Sequence, residues 1–317
     1  MEKEELREQY LAFLESSDLD SQVSILDIYT KYFFEVITES HGKPHKSQAN
    51  AEATIVHQMM FTKLLSLKKL IEGISYNENG KQLLNTIIDP TTILSLIRNI
   101  YETVFTFSLI FRRANVGEQR DIIYNLWVIA GLKYRQKFSE FTKLESSKRK
   151  IKAEKKNIDL LSINITETIF YKDSEQKARN VIDHLIRIKD FKLIFKDNSI
   201  EQLNWGDSRI VFELNTDLMD QTYTYFSLYA HPSNVSVFQF SDMFDKENEG
   251  FKEVIKFNLK NTFSLYSFFI ADYINLFPEI LEVFEDQPKI NQIIIDYFNI
   301  WMRDGALSIN NADKYLE

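Results

Sequence analysis

Tyr223, Ser227 and His231 lie four residues apart, so on a helix their side chains stack along one face. A phenol, a hydroxyl and an imidazole in one stripe can form a hydrogen-bonded polar column that holds a polar ligand or relays a proton. Pro232 ends such a helix at the histidine, because the residue before a proline is driven out of the helical region. His231 is thereby placed at a helix C-terminus, where the dipole favours a protonated ring. The plainer role for these residues is local: helical hydroxyls donate to the preceding turn, and a histidine can cap the last carbonyls.

A second pair, Arg98 and Glu102, has the same four-residue spacing. Arg before Glu is the weaker order for a surface bridge. The neighbours Leu94, Ile97, Ile100, Tyr101, Val104, Phe105 and Leu109 also leave only a narrow solvent stripe beside Ser95, Asn99 and Thr106. A charged pair in such surroundings is either on that stripe or buried, and burial of a pair is costly enough to mark a site.

Together these positions resemble the pattern of a mostly helical bacterial family of unknown function. That pattern is an R-x-x-x-E pair on an early central helix, then a Trp, a Ser and a Y-x-x-x-S-x-x-x-H block. Here they are Arg98 and Glu102, Trp205 and Ser208, and Tyr223, Ser227 and His231, in the same order, and the resemblance covers roughly residues 50–240. The resemblance implies that the two helices contribute to one shared polar site, and it brings no activity with it. Arg179 and His184, with Asn180 after the arginine, are similar to the R-x(4–6)-H motif of HEPN helical nucleases. That likeness implies an Arg that holds phosphate and a His that handles the proton during 2′-hydroxyl attack. As an ordinary amphipathic segment, the same stretch packs Val181, Ile182 and Leu185 inward.

Metal and nucleotide chemistry find little support. His41 and His45 flank Gly42 and Pro44, with Glu39 as the nearest carboxylate, and no H-E-x-x-H or cysteine accompanies them. No phosphate-binding glycine loop or hydrolase elbow occurs. Neither a cofactor nor a metal is expected.

The elements that must carry these residues read as helices. Eight Gly and five Pro among 317 residues leave long unbroken runs, and 25 Phe supply a large core. Amphipathic spacing predicts helices over 3–15, 20–39, 51–75, 90–113, 117–142, 158–170, 174–189, 207–231, 251–277 and 288–303. In the third of these, Ile55, Met59, Thr62, Leu65 and Lys69 form one row, and Val56, Met60 and Leu67 a second. Asp89-Pro90 is a sharp helix start, with residues 77–80 as a turn before it. Residues 234–240 read as an extended link and 190–205 as a short strand or loop. The run 143–156, with seven basic residues and two Glu, reads as a solvated helix or linker and as the best internal break.

The expectation is an all-α bundle of about ten helices with at most a minor hairpin. Its divisions are an N-terminal helical extension (1–45), a main domain (46–303, with a break at 143–157) and a tail (304–317). A net charge of −8 argues against a generally basic nucleic-acid surface, and the absence of cysteine suits a reducing compartment. The acidic N-terminus lacks a signal-peptide plan, and the most apolar window, 263–277, is too short to span a bilayer. The reading is a soluble, cytoplasmic protein with no membrane partner. Its buried pocket of Arg98, Glu102, Tyr223, Ser227 and His231 would recognise a ligand or protein partner, in a stress or phage-defence setting. The alternative is a metal-independent HEPN-type ribonuclease, with RNA held by Arg179 and His184 at a cleft, best placed on the two-fold axis of a homodimer.

Overall fold

Long runs free of glycine and proline become long helices. A computed structural model describes residues 4, 5, 8, 11, 12, 18–114, 117–196, 199–241 and 250–310. In chain order its elements are α1 (Leu19–Ser40), α2 (Gln48–Ile71), β1 (Ile74–Glu78), β2 (Lys81–Ile87) and α3 (Pro90–Phe107). A π-helical turn, Ser108–Arg113, continues α3. Then come α4 (Gly117–Gln136), α5 (Glu145–Glu167), α6 (Ile169–Asp173), α7 (Gln176–Ile188), β3 (Leu193–Lys196) and β4 (Ser199–Gln202). The chain continues with α8 (Ser208–Phe212), α9 (Thr222–Ala230), α10 (Asn234–Ser241), α11 (Gly250–Leu276), α12 (Leu281–Glu285) and α13 (Lys289–Met302). The fold is all-α. Of thirteen α-helices among the described residues, three span only five residues. Among the described residues, strands occur in two antiparallel hairpins, β1–β2 and β3–β4, where the sequence led us to expect at most one.

Two compact units divide the chain: residues 1–108 with 205–317, and residues 109–204. In the first, α11 is buried on every side from Thr262 to Ile274 and is covered by α3, α13 and α1. α1 is core and not an extension, since Leu26, Tyr29, Tyr32, Phe33 and Val36 are buried and the Tyr29 hydroxyl meets Ser267 Oγ at 3.0 Å. In α2 the row Ile55, Met59 and Leu65 faces solvent, and Ala53, His57, Met60, Leu64, Leu67 and Ile71 form the buried stripe. The inward face is set by the helices α2 packs on, and its own apolar residues are spread too evenly to reveal it.

α3 begins as the dipeptide predicts: Asp89 Oδ1 accepts from the Thr91 amide at 2.8 Å, with Pro90 in the first turn. The expected helix 207–231 is interrupted. Glu213 takes the left-handed conformation (φ 56°), Leu214 bridges to Arg303, and the chain re-enters helix at Thr222. Residues 234–240 are helical, not extended, because Ser233 caps them: its Oγ accepts from the Ser236 amide at 3.1 Å.

In the second unit α4 packs on α5; the expected break at 143–157 is confined to its first residues, since 142–144 lie outside helix and α5 runs unbroken from Glu145. Glu118 holds the start of α6, accepting from the amides of Ile169 (2.9 Å) and Phe170 (2.8 Å). Those bonds hold its carboxyl below the usual range. Of the expected tail, residues 304–310 close back on α13, where the amides of Ile309 and Asn310 donate to Asp296. Residues 311–317 lie outside the described residues.

Candidate functional site

The four-residue spacings of α3 and α9 place two polar stripes opposite one another. Arg98 Nε donates to Glu102 Oε1 at 3.1 Å, and Arg98 Nη2 donates to the Tyr223 hydroxyl at 2.7 Å. That hydroxyl in turn donates to Glu102 Oε1 at 3.3 Å. Arg98 Nη1 lies 3.0 Å from His231 Nε2. The guanidinium carbon also sits 4.9 Å from the Tyr223 ring centroid, within cation–π range. Arg98, Glu102, Tyr223 and His231 thus share one cluster. Ser227 does not join it, because its hydroxyl donates to the Tyr223 carbonyl one turn back at 2.7 Å.

The helix ends at His231, as Pro232 predicts. His231 follows the last turn in extended backbone (φ −113°, ψ 145°), and its amide still donates to the Ser227 carbonyl. Arg98 Nη1 can donate to Nε2 in the His231 tautomer that carries its proton on Nδ1.

The two resemblance positions support the cluster from below. Trp205 stacks on Tyr223 (6.2 Å, 25°) and lies 5.1 Å from Phe105, while its carbonyl accepts from the Tyr101 hydroxyl at 2.6 Å. Ser208 is buried beneath Tyr101 and donates to the Met219 carbonyl at 3.4 Å. Burial and the Glu102 carboxylate raise the Tyr223 pKa, so the phenol stays protonated through neutral pH.

The cluster is not buried as expected. The side chains of Arg98 and Glu102 are 19% and 28% exposed, and His231 is exposed. Three of the five Arg98 N–H groups are engaged among the described residues, which leaves two on a guanidinium locked from three sides. Lys63 bonds Asn99, one residue from Arg98. Burial lowers its pKa, and the Glu102 carboxylate acts against that shift.

Beside the cluster lies a cleft of about 380 Å³, lined by Thr91, Thr92, Ser95, Tyr229, Pro232 and Phe240 among others. Ser95 is one turn from Arg98 and Pro232 is bonded to His231, so the cleft begins where the cluster ends. Its volume falls in the range of small-molecule sites, roughly 300–1,000 Å³. The sequence contained no signal for it, because its wall comes from α10, which reads as extended.

The other sequence-predicted residues lie elsewhere. Arg179 and His184 are both on α7, where five residues of separation turn them about 140° apart around the axis. His184 Nδ1 meets Arg187 Nη2 at 3.3 Å. His41 and His45 line a cavity of about 240 Å³ with Ser40, Thr54, His57 and Tyr273. Glu39 is paired with Lys43, and no group of three or more His, Cys, Asp or Glu that could hold a metal exists among the described residues.

One segment among the described residues, Pro90–Arg113, is long and apolar enough to cross a membrane, and 61% of its apolar window is buried inside the fold. Comparison with family models, curated proteins and solved structures found no match to this chain.

Proposed function

We propose that the Arg98 cluster and its adjoining cleft form a recognition site for a small ligand, or a partner's side chain, bearing an anionic group such as a phosphate or carboxylate. The observation that carries this reading is the guanidinium held by Glu102, Tyr223 and His231 with two N–H groups to spare. A planar fork fixed in advance loses little entropy when it binds an anion in two-point fashion. The cleft supplies the apolar faces of Tyr229, Val237 and Phe240, while the hydroxyls of Thr91, Thr92, Ser95 and Ser236 in its lining already donate to Asp89 or to backbone carbonyls, which suits a ligand whose polar head is held by Arg98 and whose body is apolar. Lys63 adds a second cation near Glu102. Ser227 is committed to the backbone, which weighs against a serine nucleophile and for binding. A cytoplasmic location fits the cysteine-free composition.

Thermal-shift titration with inorganic phosphate, acetate, glycerol phosphate and a nucleoside monophosphate tests the proposal. At least one of these is expected to raise the melting temperature of the wild-type protein and to leave Arg98→Gln unmoved. Equal responses in both proteins, or none in either, contradict it.

A further inference from the structure

The two units carry opposite charge. Residues 109–204 hold 20 Lys and Arg against 13 Asp and Glu, a net of +7, whereas the rest of the chain holds 18 against 33, a net of −15. Much of the positive charge sits on the N-terminal half of α5 and the residues before it. The two acids of the run 143–156 are already used: Glu154 accepts from Arg135 Nε at 3.0 Å, and Glu145 pairs with Lys148 at 2.7 Å. Lys143, Arg149, Lys150, Lys152, Lys155 and Lys156 are exposed and have no acidic partner among the described residues.

Helical spacing orders these groups. α5 turns Glu154, Ile158 and Ile165 inward, so Arg149, Lys152 and Lys156 fall on the opposite side. The same outer stripe continues into Leu160 and Ile163, each 55% exposed. At its other end Phe138, Phe141 and Leu144 are 64%, 77% and 70% exposed. A row of cations therefore runs between two apolar ends, from Leu144 to Ile163, roughly 28 Å along the helix. Just before it, the ammonium groups of Lys137 and Lys189 lie 4.8 and 5.7 Å from the Tyr134 ring centroid.

We propose that this outer face of α5, with residues 138–144, is an adsorption surface for anionic lipid. Lysine-rich segments are drawn to the negative surface potential of such bilayers, and exposed Phe, Leu and Ile side chains enter the headgroup boundary. Charge complementarity alone would also admit a single-stranded nucleic acid. Its bases could stack on the two phenylalanines, but they would leave Leu144, Leu160 and Ile163 without a role. The expectation of no membrane partner rested on the lack of a spanning stretch, which adsorption does not require.

Co-sedimentation of the full chain with phosphatidylcholine vesicles, with and without phosphatidylserine, at low and high salt, tests this. Binding is expected only to the anionic vesicles and should weaken as salt rises. R149E/K152E/K156E should lower the affinity at least a hundredfold, roughly fivefold for each positive charge removed. Phe138→Ser with Phe141→Ser should weaken binding while leaving its salt dependence in place. All five positions are exposed, and matching circular dichroism melts confirm that the variants fold. The proposal is overturned by no binding, by equal binding to neutral vesicles, by an unaffected triple variant, or by tighter binding to a single-stranded oligonucleotide than to the vesicles.

Discussion

Two arginine–carboxylate pairs in the first unit show how burial separates architecture from recognition. Arg303 and Asp272 are 0% and 1% exposed, and Arg303 Nη2 donates to Asp272 Oδ1 at 2.7 Å. Arg303 Nη1 reaches Asn299 Oδ1 at 3.1 Å, and Ser108 donates to the other Asp272 oxygen. This pair joins α11 to the end of α13 and to the end of α3. It is closed to solvent. Arg98 and Glu102 have the same chemistry at the solvent rim of α3, with Arg98 one turn from Ser95 of the cleft, partly hydrated and with N–H groups to spare. A pair sealed from solvent stabilises by not being broken, whereas a pre-positioned one that water still reaches can accept something further.

The sharpest way to break this comparison is to remove one carboxylate from each pair. Asp272→Ala leaves Arg303 buried and unpaired and is expected to cost about 3–5 kcal/mol in urea unfolding. A cost below that of Glu102→Ala would reverse the roles assigned to the two pairs.

His57 extends the buried side of the comparison to pH. Burial holds its pKa at about 3, and its ring stacks on Phe33 at 4.5 Å. The folded state keeps this ring neutral while the unfolded chain protonates below its ordinary pKa of about 6.5. The group's stabilising contribution is therefore full above that pH and falls by about 1.4 kcal/mol per unit as pH drops from there towards 3. His57→Phe should flatten the acid limb of the stability profile, and an unchanged limb would show that other groups control it.

At the rim the effects are smaller. Glu102→Ala is expected to cost roughly 1–2 kcal/mol, because water can reach Arg98 and replace part of the lost partner. A melt indistinguishable from wild type would mean that the pair is loosely held and not pre-positioned. Ser227→Ala should stay within about 0.5 kcal/mol and leave anion binding intact, since its hydroxyl serves only a backbone carbonyl. Loss of binding in that variant would restore Ser227 to the site.

The rim cluster was more legible in the sequence than the buried pair. Four-residue spacing is a local signal, so Arg98 with Glu102, and Tyr223 with His231, could be seen as stripes. Arg303 and Asp272 are 31 residues apart on separate helices, and no periodicity links them. Local signals also misled where a cap or a neighbour decided the outcome. Val235 and Val237 favour strand, yet Ser233 starts α10. Ile55 and Met59 form an apolar row, yet packing turned the other face of α2 inward. The cleft could not be read from the sequence because it depends on that misread helix.

The most direct test uses both arginines in one spectrum. NMR signals of the arginine Nε–H groups are followed while inorganic phosphate, and then a nucleoside monophosphate, is titrated into the protein. The account predicts a saturable shift of the Arg98 signal, with a matching change at His231 and no movement of Arg303. An Arg98 signal that stays fixed with both anions, or that moves only in step with Arg303, would contradict it.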